Sequence, residues 1–134
     1  MCSVTPTPSY FGPMIADTPH PPYYAVIFTS VRTDIAENYG DTAIRMVELA
    51  QGQPGFLGVE SARDDRNDRY RTGAPAGAGP LGITVSYWES LEAIRRWKQH
   101  AEHLIAQQTG RDRWYESYKT RICKVERDYE FNHV

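Results

Sequence analysis

The sequence has few of the features that mark secreted or membrane-spanning proteins. It contains only two cysteines, Cys2 and Cys123, in 134 residues, which is too few for a disulfide framework and favours a reducing compartment. No apolar run approaches the ~20 residues that a membrane span needs. Prolines interrupt the first residues, where a signal peptide would carry its apolar segment. We therefore predict a cytoplasmic protein with no membrane partner.

The sequence also lacks an excess of positive charge. It has 15 Lys and Arg residues against 17 Asp and Glu residues, for a formal net charge of -2, and the arginines are interleaved with acidic residues. A nucleic-acid-binding domain usually concentrates basic side chains on one face. We therefore predict no nucleic-acid partner.

Several catalytic and cofactor motifs are absent or out of place. Residues 77–82 match the spacing G-x-G-x-x-G, but they precede a predicted strand, whereas the dinucleotide-binding motif follows a strand and opens a helix. No G-x-S-x-G motif occurs, and neither cysteine has a context that marks a reactive thiol. His100 and His103 are three residues apart, but no carboxylate or cysteine completes a metal shell on a neighbouring position. We predict no metal, no nucleotide cofactor and no covalent catalysis.

What the sequence does contain is one globular domain preceded by a proline-rich arm. Six of the nine prolines lie in residues 1–22, where they remove backbone donors and block helix formation. We predict that residues 1–22 form an extended arm and residues 23–134 a single domain. An apolar cluster in the arm, formed by Tyr10, Phe11, Met14 and Ile15, favours docking on the domain or on a neighbouring subunit.

The domain alternates between strand and helix patterns. Runs of β-branched and aromatic residues predict strands, and apolar residues at spacings of three and four predict helices. Ser90 is the predicted N-cap of the second helix, which Gly110 ends. A polar and then Gly/Ala/Pro-rich loop covers residues 64–79, and a short helical turn is predicted over 111–116. The strands are predicted at 23–31, 56–62, 83–88 and 118–129, and the helices at 35–51 and 90–109.

The element order is therefore β-α-β-β-α-β. This order is typical of a ferredoxin-like α+β fold, in which an antiparallel sheet carries two helices on one face. The other face of the sheet is left bare and must find another cover. A second copy of the same sheet is the simplest cover, and we predict a homodimer in which two sheets pack as a dimeric α/β barrel.

Two stretches resemble a known family. The turn into the second strand, Gln53 to Glu60, and the segment Val85 to Ala93, followed by a helix with Trp97, His100 and His103, resemble the antibiotic biosynthesis monooxygenase family of dimeric α/β barrels. The likeness extends from about residue 23 to residue 131. That family includes cofactor-free oxygenases of aromatic polyketides, haem-degrading enzymes, small-molecule isomerases and members without a known activity.

The resemblance implies a pocket between the helices and the sheet of each subunit. It places Trp97 and His103 at the pocket, and His103 or His100 is the predicted catalytic base, since imidazole suits proton transfer near neutral pH. On a straight helix His103 lies almost opposite the apolar stripe and His100 at its edge, so His103 reaches a pocket only if the helix kinks near residues 98–101. Gln107 stands where the haem-degrading members have an iron-ligating histidine, which disfavours haem.

Aromatic side chains supply the predicted walls for an aromatic ligand. Core packing is the alternative for at least half of them. By strand alternation, neighbouring residues 87 and 88 face opposite sides of the sheet, so one faces the helices and the other the dimer partner. The predicted substrate-binding residues are Trp97, Tyr87, Trp88, Phe28, Tyr24 and Trp114.

Three functions remain open at this point. The first is a cofactor-independent monooxygenase that acts on an aromatic, polyketide-like metabolite. The second is an isomerase, cyclase or lyase that uses the same histidine base without oxygen. The third is a non-catalytic dimer that binds a small molecule or haem.

Overall fold

The computed structural model describes residues 14–33, 39–63, 81–107 and 114–133, without the side chains of residues 39–42 and 103–107. Its elements follow the predicted order β-α-β-β-α-β. They are β1 (Tyr23–Arg32), α1 (Tyr39–Gln51), β2 (Phe56–Arg63), β3 (Leu81–Trp88), α2 (Leu91–Gln107) and β4 (Tyr115–Val125). The ferredoxin-like α+β prediction is therefore confirmed.

The four strands form one sheet in the order β2-β3-β1-β4. All three neighbouring pairs are antiparallel, and β1 lies at the centre, where it pairs with β3 and β4. In this register Trp88 lies opposite Tyr24 on β1 and opposite Phe56 on β2. A register shift between Phe56 and Gly58 at the start of β2 places Val59, Ser61 and Arg63 beside the even-numbered residues of β3.

Helix α2 begins where the sequence predicts. The Ser90 hydroxyl accepts a hydrogen bond from the Ala93 backbone N–H at 3.1 Å, which is the N-cap interaction that satisfies a free donor of the first turn. Gly55, at the turn into β2, contacts this same first turn. It has a φ of +87°, and a Cβ at this position would lie 2.7 Å from the Ala93 Cβ. Only glycine meets both the backbone and the space requirements of this turn.

The core lies between the helices and the sheet. Its buried members are Ala50 from α1, Trp88 from β3, and Ala93 and Ile94 from α2. Trp88 is 0% exposed, and its indole N–H donates to the Ser86 hydroxyl at 2.9 Å, so the polar group of this buried ring is satisfied. Tyr24, Val26, Phe56 and Trp97 pack around this centre.

The opposite face of the sheet, which we call the far face, is partly covered by the chain itself. The Ala16 N–H donates to the Glu60 carboxylate at 3.0 Å, and a Cβ at Gly58 would lie 2.7 Å from the Ala16 Cβ. The expectation of a wholly bare face is therefore wrong for this end of the sheet, because the last part of the arm docks there. Farther along, Ile83 is 40% exposed.

Strand β4 differs from its predicted bounds. A helical turn was expected through residue 116 and a strand from residue 118, but β4 begins at Tyr115 and ends at Val125. Pairing with the central strand explains the earlier start, since Tyr115 is the partner of Arg32 across a bulge. The first part of the arm, the 64–79 loop and the Gly110 helix stop lie outside the described residues.

Candidate functional site

A cavity of about 580 Å³ lies between the two helices and the sheet. This volume falls within the range of roughly 300–1,000 Å³ that is typical of small-molecule sites. Most of the residues that line it are apolar, and they come from all four strands and both helices. The cavity is therefore continuous with the core and lies where the resemblance places a pocket.

Three of the predicted aromatic residues line this cavity. Phe28 contributes from β1, Trp97 from α2, and Trp114 from the residue before β4. Trp114 is 3% exposed and Trp97 is half-buried. Phe28 also contacts Tyr115 edge to face, with ring centroids 5.5 Å apart, and Tyr115 itself lines the cavity. These rings provide flat walls for a planar ligand.

The other three predicted aromatic residues do not line the cavity. Trp88 is buried in the core, where it stacks on Trp97 with ring centroids 6.0 Å apart. Tyr24 packs against the same core cluster. Tyr87 points to the far face, where its hydroxyl donates to Glu60 at 2.7 Å. Residues 87 and 88 thus face opposite sides of the sheet, as strand alternation predicts.

The histidines are placed differently from the aromatic residues. His100 is exposed on α2 and is not among the residues that line the cavity. The side chains of His103 and Gln107 lie outside the described residues. On α2 the cavity is lined by Ile94, Trp97, Lys98, Ala101 and Glu102.

Polar residues that the sequence analysis did not single out line the same cavity. On β2 and β3 the helix-facing ones are Arg63, Ser61, Thr84 and Ser86, and we call these four residues the polar strip. Thr120 of β4 and Glu60 of β2 also line the cavity, but the Glu60 carboxylate is hydrogen-bonded to Ala16 and Tyr87 on the far face. The Ser61 and Thr84 hydroxyls are 3.2 Å apart. The alternation of side chains along β2 and β3 could have identified the polar strip. However, the register shift at the start of β2 changes which residues of that strand face the helices, and this shift is not visible in the sequence.

Two tyrosines on the far face have a raised pKa. Burial, followed by the hydrogen bond to Glu60, raises the pKa of Tyr87 above its ordinary value. Burial, followed by the hydrogen bond to Asp128, raises the pKa of Tyr23, whose hydroxyl also accepts from Thr18 at 3.0 Å. Both groups lie on the side of the sheet away from the cavity, so they stabilise the arm and the C-terminal segment on the sheet.

Within the described residues, no helix is both long and apolar enough to cross a membrane. The same part of the chain contains no group of three or more His, Cys, Asp or Glu residues that could hold a metal ion. The only charged groups on the α2 wall of the cavity that it describes are Lys98 and Glu102, which form an ion pair at 3.9 Å.

Known structures share this architecture at low sequence identity. The protein PA3566 from Pseudomonas aeruginosa superposes with a TM-score of 0.54 at 19% identity, over 88% of this chain and 100% of that one. A dimeric ferredoxin-like protein from Thermobifida fusca superposes with a TM-score of 0.50 at 10% identity, over 83% of this chain and 99% of that one. At such identities the likeness concerns the fold alone.

Sequence comparison is more specific. The chain is 50% identical over 117 residues to the uncharacterized protein YqjZ of Bacillus subtilis, which covers 87% of this chain and 91% of that protein. The model of the antibiotic biosynthesis monooxygenase family matches residues 22–109, a span that includes β1 to β3, both helices and most of the cavity lining. The resemblance seen in the turn before β2 and at the start of α2 is thereby confirmed, and the chain belongs to the antibiotic biosynthesis monooxygenase family.

Proposed function

We propose that this protein is a cofactor-independent monooxygenase that oxidises an aromatic, polyketide-like metabolite in the cavity between its helices and its sheet. The observation that carries the proposal is the cavity of about 580 Å³, with Phe28, Trp97 and Trp114 among its walls. Family membership supports the same chemistry. The volume and the flat walls suit a fused-ring substrate better than a flexible aliphatic one.

The reaction uses the substrate as its own reductant. A base removes a proton from an activated ring CH₂ group, and the resulting carbanion gives electrons to O₂ to form a C–O bond. The hydroperoxide then loses water and leaves a ketone, so one oxygen atom enters the product and the other leaves as water. The four electrons that reduce O₂ all come from the substrate, and no flavin, haem or metal is needed.

Helix α2 supplies the base. Among its described side chains, Glu102 is the proton acceptor that lines the cavity, and its partner Lys98 lies 3.9 Å away. His103, one of the two bases that the sequence predicts, is the alternative on the next residue, whereas His100 is exposed and does not line the cavity. The apolar walls of the cavity favour the reaction, because they shield the carbanion from reprotonation by water.

We also propose that the protein is a homodimer, with the far face of the sheet against a second copy. The exposed Ile83 on this face supports the proposal, and the related protein from Thermobifida fusca is dimeric. The helix-facing cavity lies on the other side of the sheet, so each subunit keeps its own site. Such a dimer leaves one cavity for each chain.

Oxygen uptake with anthrone tests the function. The metal-stripped protein is expected to consume one O₂ for each anthrone and to release anthraquinone with one oxygen atom from ¹⁸O₂. Glu102→Gln and His103→Asn separate the two candidate bases. The variant that lacks the true base should have a kcat at least about 100-fold below that of the wild type, within the range for general base catalysis. Gln99→Ala, at an exposed position of α2, is the matched control.

Two results would contradict the proposal. No uptake above buffer across anthrones, quinols and related phenols excludes an oxygenase of this class. A product of unchanged mass, or one that has lost water without gaining ¹⁸O, indicates an isomerase, cyclase or lyase that uses the same cavity.

A further inference from the structure

The sheet wall of the cavity carries one arginine. Arg63 is the last residue of β2 and lies opposite Gly82 of β3 in the ladder. Both residues are on the helix-facing side, and Arg63 lines the cavity. It is half-buried, although it lies at the end of an edge strand. Arg63 therefore brings a permanent positive charge to the wall of a mostly apolar cavity.

The guanidinium of Arg63 packs over Gly82. The Cζ and Nη1 atoms of Arg63 lie 3.4 Å, and the Nη2 atom 3.5 Å, from the position that a Cβ of residue 82 would take. The guanidinium therefore lies over Gly82 of β3, at van der Waals distance from the place of a Cβ and in the space that a longer side chain would occupy. Gly82 is buried, so this group is held against the sheet and does not extend freely into solvent.

The hydroxyl groups of the polar strip extend from Arg63 along the same sheet wall. Ser61 and Thr84 form the next ladder pair along β2 and β3, and Ser86 follows beside Val59. The polarity of the sheet wall therefore increases along β2, from Phe56 and Val59 toward one end to the Arg63 cation at the other. A planar ligand that lies along the sheet would place its hydrocarbon rings and its polar edge in different parts of this wall.

Among the described residues, the second cation that lines the cavity is of a different kind. Lys98 lies on α2 with 63% of its side chain exposed, and it pairs with Glu102. An exposed ammonium in water contributes little to the binding of an anion. A planar guanidinium in a partly dry site instead offers two parallel N–H donors that match a carboxylate.

We propose that Arg63 is the anion-binding residue of this cavity, and that the ligand is a fused aromatic ring system with an anionic oxygen group, a carboxylate or an ionised phenol, at one edge. This inference rests on the proposed function for its aromatic substrate class and adds the charge of the substrate. The rings occupy the space beside Trp97 and Phe28, and the anionic oxygen accepts hydrogen bonds from the guanidinium.

Binding of matched anthraquinones tests the proposal. Anthraquinone-2-carboxylate, its neutral carboxamide and 2-hydroxyanthraquinone are titrated into the full-length protein, and quenching of tryptophan fluorescence gives the dissociation constants. We expect the carboxylate to bind at least about 10-fold more tightly than the carboxamide, as a hydrogen-bonded charge pair implies. The hydroxy compound should bind more tightly above the pKa of its phenol than below it, and the absence of this change would exclude an ionised phenol as the anionic group.

Two variants remove the charge and keep the size of the side chain. Arg63→Met and Arg63→Gln should lower the carboxylate affinity by about 10- to 100-fold and change the carboxamide affinity by less than about 2-fold. Arg63→Lys should recover part of the preference, since it restores the charge without the planar donors. Arg45→Gln is the matched control, because it removes a guanidinium at an exposed position of α1 that does not line the cavity and should preserve the preference.

The outcomes separate this proposal from the proposed function. A wild-type protein without a preference for the carboxylate, or variants of Arg63 that keep it, would overturn the anion site. Equal losses for the carboxylate and the carboxamide would assign Arg63 a structural role only. Anthrone oxidation with no anion preference overturns only the anion site, whereas a clear preference without oxygen uptake overturns only the oxygenase.

Discussion

The indole rings of Trp88 and Trp97 stack with their centroids 6.0 Å apart and their planes inclined by 24°. Trp88 is 0% exposed and belongs to the core, whereas Trp97 lines the cavity. This contact therefore links the hydrophobic core to the wall of the cavity. The two tryptophans are therefore expected to respond differently to truncation.

Trp88→Ala should destabilise the protein by about 3–5 kcal/mol, the usual cost of removing a large buried aromatic side chain. Trp97→Ala should cost less, because its ring is half-buried, but it should weaken the binding of an anthraquinone probe. Urea unfolding and fluorescence titration measure the two effects. Trp88→Phe, which keeps an aromatic ring in the core, is the control, and equal losses of stability in the two alanine variants would contradict this division.

Gly55→Ala should destabilise the protein by at least about 1–2 kcal/mol, the cost of a left-handed conformation for a residue with a Cβ. The φ of +87° and the 2.7 Å approach to the Ala93 Cβ both oppose the substitution. Gly52→Ala is the matched control in the same loop, since its nearest neighbour there is the Leu49 carbonyl oxygen at 3.6 Å. Chemical denaturation compares the two, and equal stabilities would show that the turn relaxes.

Tyr87→Phe should cost about 1.5 kcal/mol near neutral pH, the low end for a hydrogen bond to a charged group, because Tyr87 is only half-buried. The variant should also change the alkaline stability profile. The folded protein holds the Tyr87 proton above the ordinary pKa of 10.0, so this contribution is constant below about pH 10 and falls above it, where the unfolded chain loses its proton first.

The profile of Tyr87→Phe should therefore fall less steeply above about pH 10 than that of the wild type. Thermal unfolding at a series of pH values measures this slope. Tyr118→Phe removes a hydroxyl at a position that is 44% exposed and is the control. A profile for Tyr87→Phe that is parallel to the wild type would mean that Glu60 does not hold the Tyr87 proton.

Ile83→Glu should convert the proposed homodimer to a monomer, because it places a charge on the far face of the sheet, where Ile83 is 40% exposed. The wild type is expected to sediment at twice the chain mass of 15.3 kDa. Leu49→Glu is the control, since Leu49 is 38% exposed on α1 and lies away from that face. A wild-type protein that sediments as a single chain at micromolar concentration would overturn the proposed dimer.

The cavity could be predicted from the sequence only in part. The resemblance and the helical stripe of α2 placed Trp97 at the cavity, but the sequence left open which face of the sheet Phe28 takes. Arg63, Thr84 and Ser86 were missed, since polar residues on a strand normally indicate solvent. A one-residue shift at the start of β2 determines which side chains of that strand face the helices, and such a shift leaves no clear local pattern.

The sequence by itself determined the order of the elements, the N-cap at Ser90 and the opposite orientations of Tyr87 and Trp88. These features depend on local periodicity and on capping chemistry, which act between residues close in the chain. Only the tertiary structure decided that residues 16–18 cover part of the far face and that Gly82 accommodates the Arg63 guanidinium. These contacts join residues that are distant in sequence, and they depend on strand register and on the space left between side chains.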